Sequence, residues 1–124
     1  MAEMGTLDCR HSNQMDVSDI ADLNLNDSEI IQTLINSAFE VELLVNYILD
    51  YSSQKTALYR LVFQDCLSAD LQLRLAFQGP NSILRGYEEP EPNGYRKFII
   101  ETNTTASLLT ITAKYLKMIP ATDG

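Results

Sequence analysis

His11 is the only histidine of the chain, and Asp8 and Cys9 stand within three residues of it. A cysteine or serine nucleophile needs a base held within hydrogen-bond reach. A histidine in an acidic polar stretch without hydrophobic periodicity is not held in that way. The same trio offers ligands to a soft ion, but a structural zinc site takes four ligands, and only Cys66 could be added. Glu88, Glu89 and Glu91 could bind a hard cation, yet they lack the spaced oxygen ligands of a calcium loop. The five glycines do not cluster. No phosphate-cradling loop, dinucleotide fingerprint or nucleophile elbow occurs. These observations imply no catalytic residue, no metal and no cofactor. One catalytic alternative survives, a carboxylate-dependent enzyme built on Glu40 or Glu42, since paired acids can do acid–base work without histidine.

Signals for binding are stronger. Val17, Ile20, Leu23 and Leu25 space apolar side chains among acids in the stretch VSDIADLNL. That pattern resembles a leucine-rich nuclear export signal, which would dock its apolar side chains in a groove. The competing expectation, favoured because chance matches to so loose a pattern are common, is that these residues pack on the protein's own core. Tyr87-Glu88-Glu89-Pro90 looks like a phosphotyrosine site read by an SH2 domain. Tyrosine outnumbers phenylalanine six to four, and tryptophan is absent. Tyrosine suits interfaces because its ring can be buried while its hydroxyl stays wet. Tyr47 and Tyr51 fall one helical turn apart. The candidate partner-binding set is therefore Val17, Ile20, Leu23, Leu25, Tyr47, Tyr51, Tyr87, Glu88 and Glu89.

The elements that would position these residues read mainly as helix. Asn26 followed by Glu29 resembles a capping box. Ile31, Leu34, Ala38, Val41, Val45 and Ile48 then recur at steps of three and four, which predicts a long amphipathic helix over 28–51. Residues 54–66 and 69–78 predict two further helices, the second stopped by Gly79-Pro80. Pro90, Pro92 and Asn93-Gly94 interrupt the chain, and Asn93-Gly94 could close a hairpin. A last helical spacing runs from Tyr95 to residue 119. The expected fold is a small bundle of about four helices behind a disordered acidic leader. Its alternative is α+β, with strands at 57–63, 71–77, 82–87 and 95–101 between two long helices, since Leu71, Leu73, Leu75 and Phe77 alternate strictly.

Charge divides the 124 residues. Residues 1–50 carry ten acids and one base, a net −9, while residues 51–124 carry seven acids and eight bases, a net +1. The organisation implied is a leader over 1–25, disordered or docked on a partner, one globular domain over 26–120, and a tail over 121–124. An acidic chain is a poor direct binder of nucleic acid. No apolar run reaches the roughly 18 residues that span a bilayer. Two cysteines do not make a disulfide scaffold. These features predict a soluble intracellular protein, cytoplasmic or nuclear, without evident small-molecule substrate. It would be a non-catalytic interaction or regulatory module acting through the long helix and the acidic leader. Its partner would be a protein with a basic surface, or a second copy joined through the 28–51 helix. An acidic decoy for a nucleic-acid-binding protein is a further alternative.

Overall fold

From Val41 to Asn46 the burial alternates with a period of two. Val41, Leu43 and Val45 are buried, while Glu42, Leu44 and Asn46 between them are half-exposed. That is the signature of a strand with one covered face. The computed structural model describes residues 14–36, 38–72, 81–103 and 108–121. Nine strands occur there: β1 (Met15–Asp16), β2 (Glu29–Ile35), β3 (Val41–Asp50), β4 (Lys55–Gln64), β5 (Ser68–Gln72), β6 (Asn81–Pro90), β7 (Arg96–Thr102), β8 (Leu108–Ala113) and β9 (Tyr115–Pro120). Two short 3-10 turns, Ile20–Asp22 and Pro92–Gly94, complete the inventory. All pairings are antiparallel, in the order β1-β9-β4-β3-β2-β6-β7-β8-β5.

The sheet is open, since β1 and β5 stand at its two edges, yet it folds over onto itself. Phe63 of β4 and Phe98 of β7 lie four strands apart in the order, about 19 Å in a flat sheet at the usual strand spacing. Their ring centroids are 5.0 Å apart. The fold-over is built into the chain at a bend. β4 runs into β5 and β8 runs into β9, with Gln64 facing Tyr115 and Ser68 facing Thr112. Residues 65–67 therefore oppose only residues 113 and 114. This one-residue bulge turns both strands together. Asp65 takes the turn with φ 56°. Leu67 N–H donates to Thr112 O at 2.7 Å and Lys114 N–H to Gln64 O at 3.1 Å. Between the two halves of the folded sheet lie Val41, Leu43, Val45, Leu61, Phe63, Ile83, Phe98, Ile100, Leu109, Ile111, Leu116 and Met118, all buried.

This architecture corrects the sequence expectation. The described residues contain no α-helix, so there is neither a helical bundle nor the α+β alternative's pair of long helices. The long helix predicted over 28–51 is β2, a turn and β3, which also removes the proposed homodimer through it. The interaction module acting through that helix loses its mechanism. Asn26 caps no helix; its side-chain amide instead donates to Leu84 O at 2.8 Å. The predicted helix over 54–66 is β4. Of the one over 69–78, residues 69–72 belong to β5 and the rest lie outside the described residues. The helical spacing from Tyr95 to 119 holds β7, β8 and β9. Asn93 (φ 65°) and Gly94 (φ 82°) both take left-handed backbone at the β6–β7 connection, as an Asn-Gly turn requires.

Candidate functional site

Two places bring together the residue types that recognise other groups: a strap across β6 and a tip at the β2–β3 turn. The strap is residues 17–28. Among the described residues, one edge of β6 meets β2 only through Ser82 and Asn81. Beyond that, the strap covers it. Ile83 N–H donates to Ser28 O at 2.8 Å, and Asp27 N–H donates to Ile83 O at 2.8 Å. Ile20 and Leu25 are buried over Gly86. A Cβ at position 86 would lie 3.1 Å from Leu25 Cδ1 and 3.4 Å from Ile20 Cδ1, so a larger residue would push the strap outward. Covering an edge in this way blocks stray strand pairing.

Electrostatics lock the strap. Glu88 accepts Ile20 N–H at 2.9 Å. Arg96 forms a forked pair with the same carboxylate, Nε to Oε2 at 2.9 Å and Nη2 to Oε1 at 3.0 Å. Its Nη2 also donates to Val17 O at 2.8 Å and Ser18 O at 2.9 Å. The guanidinium lies 4.8 Å from the Phe98 ring centroid. Cation, aromatic face and carboxylate thus form a closed trio. A second trio lies on the opposite face of the same two strands. Arg85 sits 4.6 Å over the Tyr87 ring and pairs with Glu101 at 2.8 Å. That pairing holds the Glu101 carboxyl below its ordinary value and raises the Arg85 guanidinium.

The sequence-derived set is distributed over these features. Val17, Ile20 and Leu25 are in the core, with Leu23 half-buried against it. Tyr47 hydroxyl accepts Asn24 N–H at 3.0 Å, and Tyr51 hydroxyl donates to Asn26 O. Glu88 locks the strap. Tyr87 is half-buried, its hydroxyl 3.5 Å from Glu101. Glu89 is exposed opposite Lys97. Asp8, Cys9 and His11 lie outside the described residues, and no metal-holding group of acids, cysteine and histidine occurs among the described ones. A cleft of about 350 Å³ lined by Asp27, Ile48, Tyr51, Gln54 and Thr56 holds a single carboxylate.

The tip was missed by the periodicity. Asn36 ends β2 and organises the turn: its Oδ1 accepts Ala38 N–H at 2.9 Å and Glu40 N–H at 3.2 Å. Its Nδ2 donates to Glu40 Oε1 at 3.0 Å and Glu42 Oε2 at 3.3 Å. Gln64 Nε2 donates to the other Glu40 oxygen at 3.1 Å. Glu40 and Glu42, the pair on which a carboxylate enzyme would rest, are thus turn-building groups, with Arg60 3.6 Å from Glu42. The turn forces Phe39 to φ 60°, left-handed backbone that bulky residues avoid. The Phe39 side chain gains no burial in return, being 75% exposed. Cys66 N–H donates to Phe39 O at 3.1 Å, which joins the turn to the β4–β5 bend. Ile35 (61% exposed) and Leu67 (66%) belong to the same end of the sheet. Burial pushes the Cys66 thiol up, and the Glu40 and Asp65 charges add to the shift. Among the described residues, no arginine or lysine stacks on Phe39. Asn36 between two β-branched runs was the available signal, because asparagine builds turns with its own side chain.

No family model, no curated protein and no solved structure matches this chain.

Proposed function

We propose that this protein is a non-catalytic binding module whose ligand is a protein segment with basic character, seated on the Ile35, Phe39 and Leu67 tip. The observation that carries the reading is Phe39. A phenylalanine in left-handed backbone costs about 1 kcal/mol or more, and an exposed ring recovers none of it through core packing. Strain held at an exposed aromatic points to use in recognition, and single aromatics of this kind anchor interfaces. The neighbouring strand extends the surface. Among the described residues, β2 pairs with β3 throughout, but with β6 only at Glu29 and Ile30. Residues 30–39 contain no charge, and Ile31 and Leu34 are exposed. The exposed, uncharged side chains of this stretch add apolar contact area to the tip. Carboxylates at Glu40, Glu42 and Asp65 favour a basic ligand.

The test uses Phe39→Asn, since asparagine accepts left-handed backbone. A phage-displayed library of random peptides is selected on the wild-type protein, and the enriched peptides are titrated against both proteins. The variant is expected to unfold at higher urea, by about 1 kcal/mol, while binding the peptides at least tenfold more weakly. Equal affinity for both proteins overturns the reading.

A further inference from the structure

We propose that Phe39 reads one arginine or lysine of that ligand, whose cationic head stacks on the exposed ring and faces the carboxylates of Glu40 and Asp65. The inference rests on the binding reading above and adds the chemistry of the contact. Its ground is a comparison inside the molecule. Arg96 lies over Phe98 and pairs with Glu88, and Arg85 lies over Tyr87 and pairs with Glu101. Lys114 stands 5.1 Å from the Tyr95 ring centroid. In the first two, an aromatic face and an acid hold one cation between them. The tip has the aromatic and the acids, and its cation has to come from outside.

The charged groups around Phe39 bear this out one by one. Glu40 is the next residue, and its two oxygens accept only the neutral amides of Asn36 and Gln64, so its charge is not cancelled. Asp65 adjoins Cys66, whose N–H donates to Phe39 O, and it is exposed without an ion pair among the described residues. Glu42 is the one acid of the turn with a base, Arg60, held at 3.6 Å. A cation arriving at Phe39 therefore meets two carboxylates that no base among the described residues engages. An aromatic face attracts such a cation through its quadrupole, more strongly when water is excluded. A second copy of this chain would bring its own acids to the same place, so charge complementarity selects a basic protein segment over self-association.

Three substitutions test the contact. Phe39→Tyr keeps the π face, Phe39→Leu keeps an apolar side chain without it, and Asp65→Asn removes one charge at a position (φ 56°) that asparagine tolerates. Each is titrated with the peptides enriched on the wild-type protein, at low and high salt, and with the same peptides carrying citrulline or norleucine for arginine or lysine. Phe39→Tyr should bind like the wild type. Phe39→Leu and Asp65→Asn should each lose about threefold to tenfold, and the neutral peptides should be insensitive to both changes. Enriched peptides without basic residues, or Phe39→Leu binding like the wild type, overturn the cation contact while leaving the tip as a binding surface. If no peptide is enriched, or if phosphatidylcholine vesicles capture the wild type and lose Phe39→Asn, the binding reading falls and this inference falls with it. A concentration-dependent dimer abolished by Phe39→Asn would replace the basic segment with a second copy.

Discussion

Strap and tip use the same materials in opposite ways. At the strap, Ile20 and Leu25 turn inward over Gly86, and the Glu88 carboxylate is held by Arg96, which also stacks on Phe98. At the tip, Ile35, Phe39 and Leu67 are exposed, and Glu40 and Asp65 have no base among the described residues. Apolar side chains, an aromatic ring and carboxylates occur in both. What differs is whether the chain supplies its own cation and its own cover. Where it does, the cluster stabilises the fold. Where it does not, the cluster is left with an unmet preference, and at Phe39 it holds backbone strain as well.

The comparison can be broken most forcefully at Arg96. Arg96→Ala removes the ion pair and the bonds to Val17 O and Ser18 O from a site where both side chains are largely buried. It is expected to cost about 2–4 kcal/mol in urea unfolding. Arg96→Lys should restore only part of this, because lysine lacks the guanidinium fork. A loss below about 1 kcal/mol would mean that apolar packing alone holds the strap. Gly86→Ala attacks the same region sterically. Leu25 and Ile20 must give by a few tenths of an ångström, for an expected cost of about 1–2 kcal/mol. Faster amide exchange over residues 20–28 would place that cost in the strap.

Smaller effects sharpen the contrast. Ser28 is fully buried where the strap enters β2, and its hydroxyl finds no partner among the described residues. Ser28→Ala should therefore be neutral or stabilise by up to about 1 kcal/mol, whereas truncating any other buried strap residue destabilises. The smallest expected effect is with pH. Arg85 depresses Glu101 on the β6–β7 side, and Ser52 depresses Asp50 at the β3–β4 turn through hydrogen bonds from its hydroxyl and amide. A carboxyl depressed by folding contributes stability above its unfolded value, here 4.5 for Glu101 and 3.8 for Asp50. That contribution is lost as pH falls through the folded value. Glu101→Gln should make the acid loss of stability slightly shallower, as read from unfolding midpoints between neutral pH and the carboxylate range. An unchanged slope would mean that solvent screens the exposed pair completely.

Much of the molecule's anatomy was legible in particular residues, and its secondary structure was not. The stretch from Ile30 to Leu49 has apolar residues at 13 of its 20 positions, often in adjacent pairs, so a period of two and one of 3.5 both find matches in it. A two-faced strand next to a largely apolar neighbouring strand produces that pattern as readily as a wide helical stripe. The β-branched content of β2 and β3 was the better guide. Asn36 was read through because no glycine or proline marks the turn, and Phe39 is a residue no turn rule would place there. By contrast, Asn93-Gly94 announced its connection, because its left-handed backbone follows from residue type alone. The segments 57–63, 82–87 and 95–101, strands only in the α+β alternative, coincide with parts of β4, β6 and β7. Val17, Ile20 and Leu25 were legible as apolar, and their packing on the protein's own core was the favoured expectation. The partnership of Glu88 with Arg96 was not legible, since nothing in the sequence sets the register that brings β6 and β7 side by side.

The pairing of β1 with β9 sets residue 15 beside residue 118, and this governs the order in which the molecule can be made. A ribosome delivers the strap first and β9 about a hundred residues later. Until β6 to β9 emerge, the inward faces of β3 and β4 have nothing to close on. The fold is completed by contacts between distant parts of the chain, a topology that folds in milliseconds to seconds. During that interval the strap is the early-made cover for β6, an edge synthesised long after it.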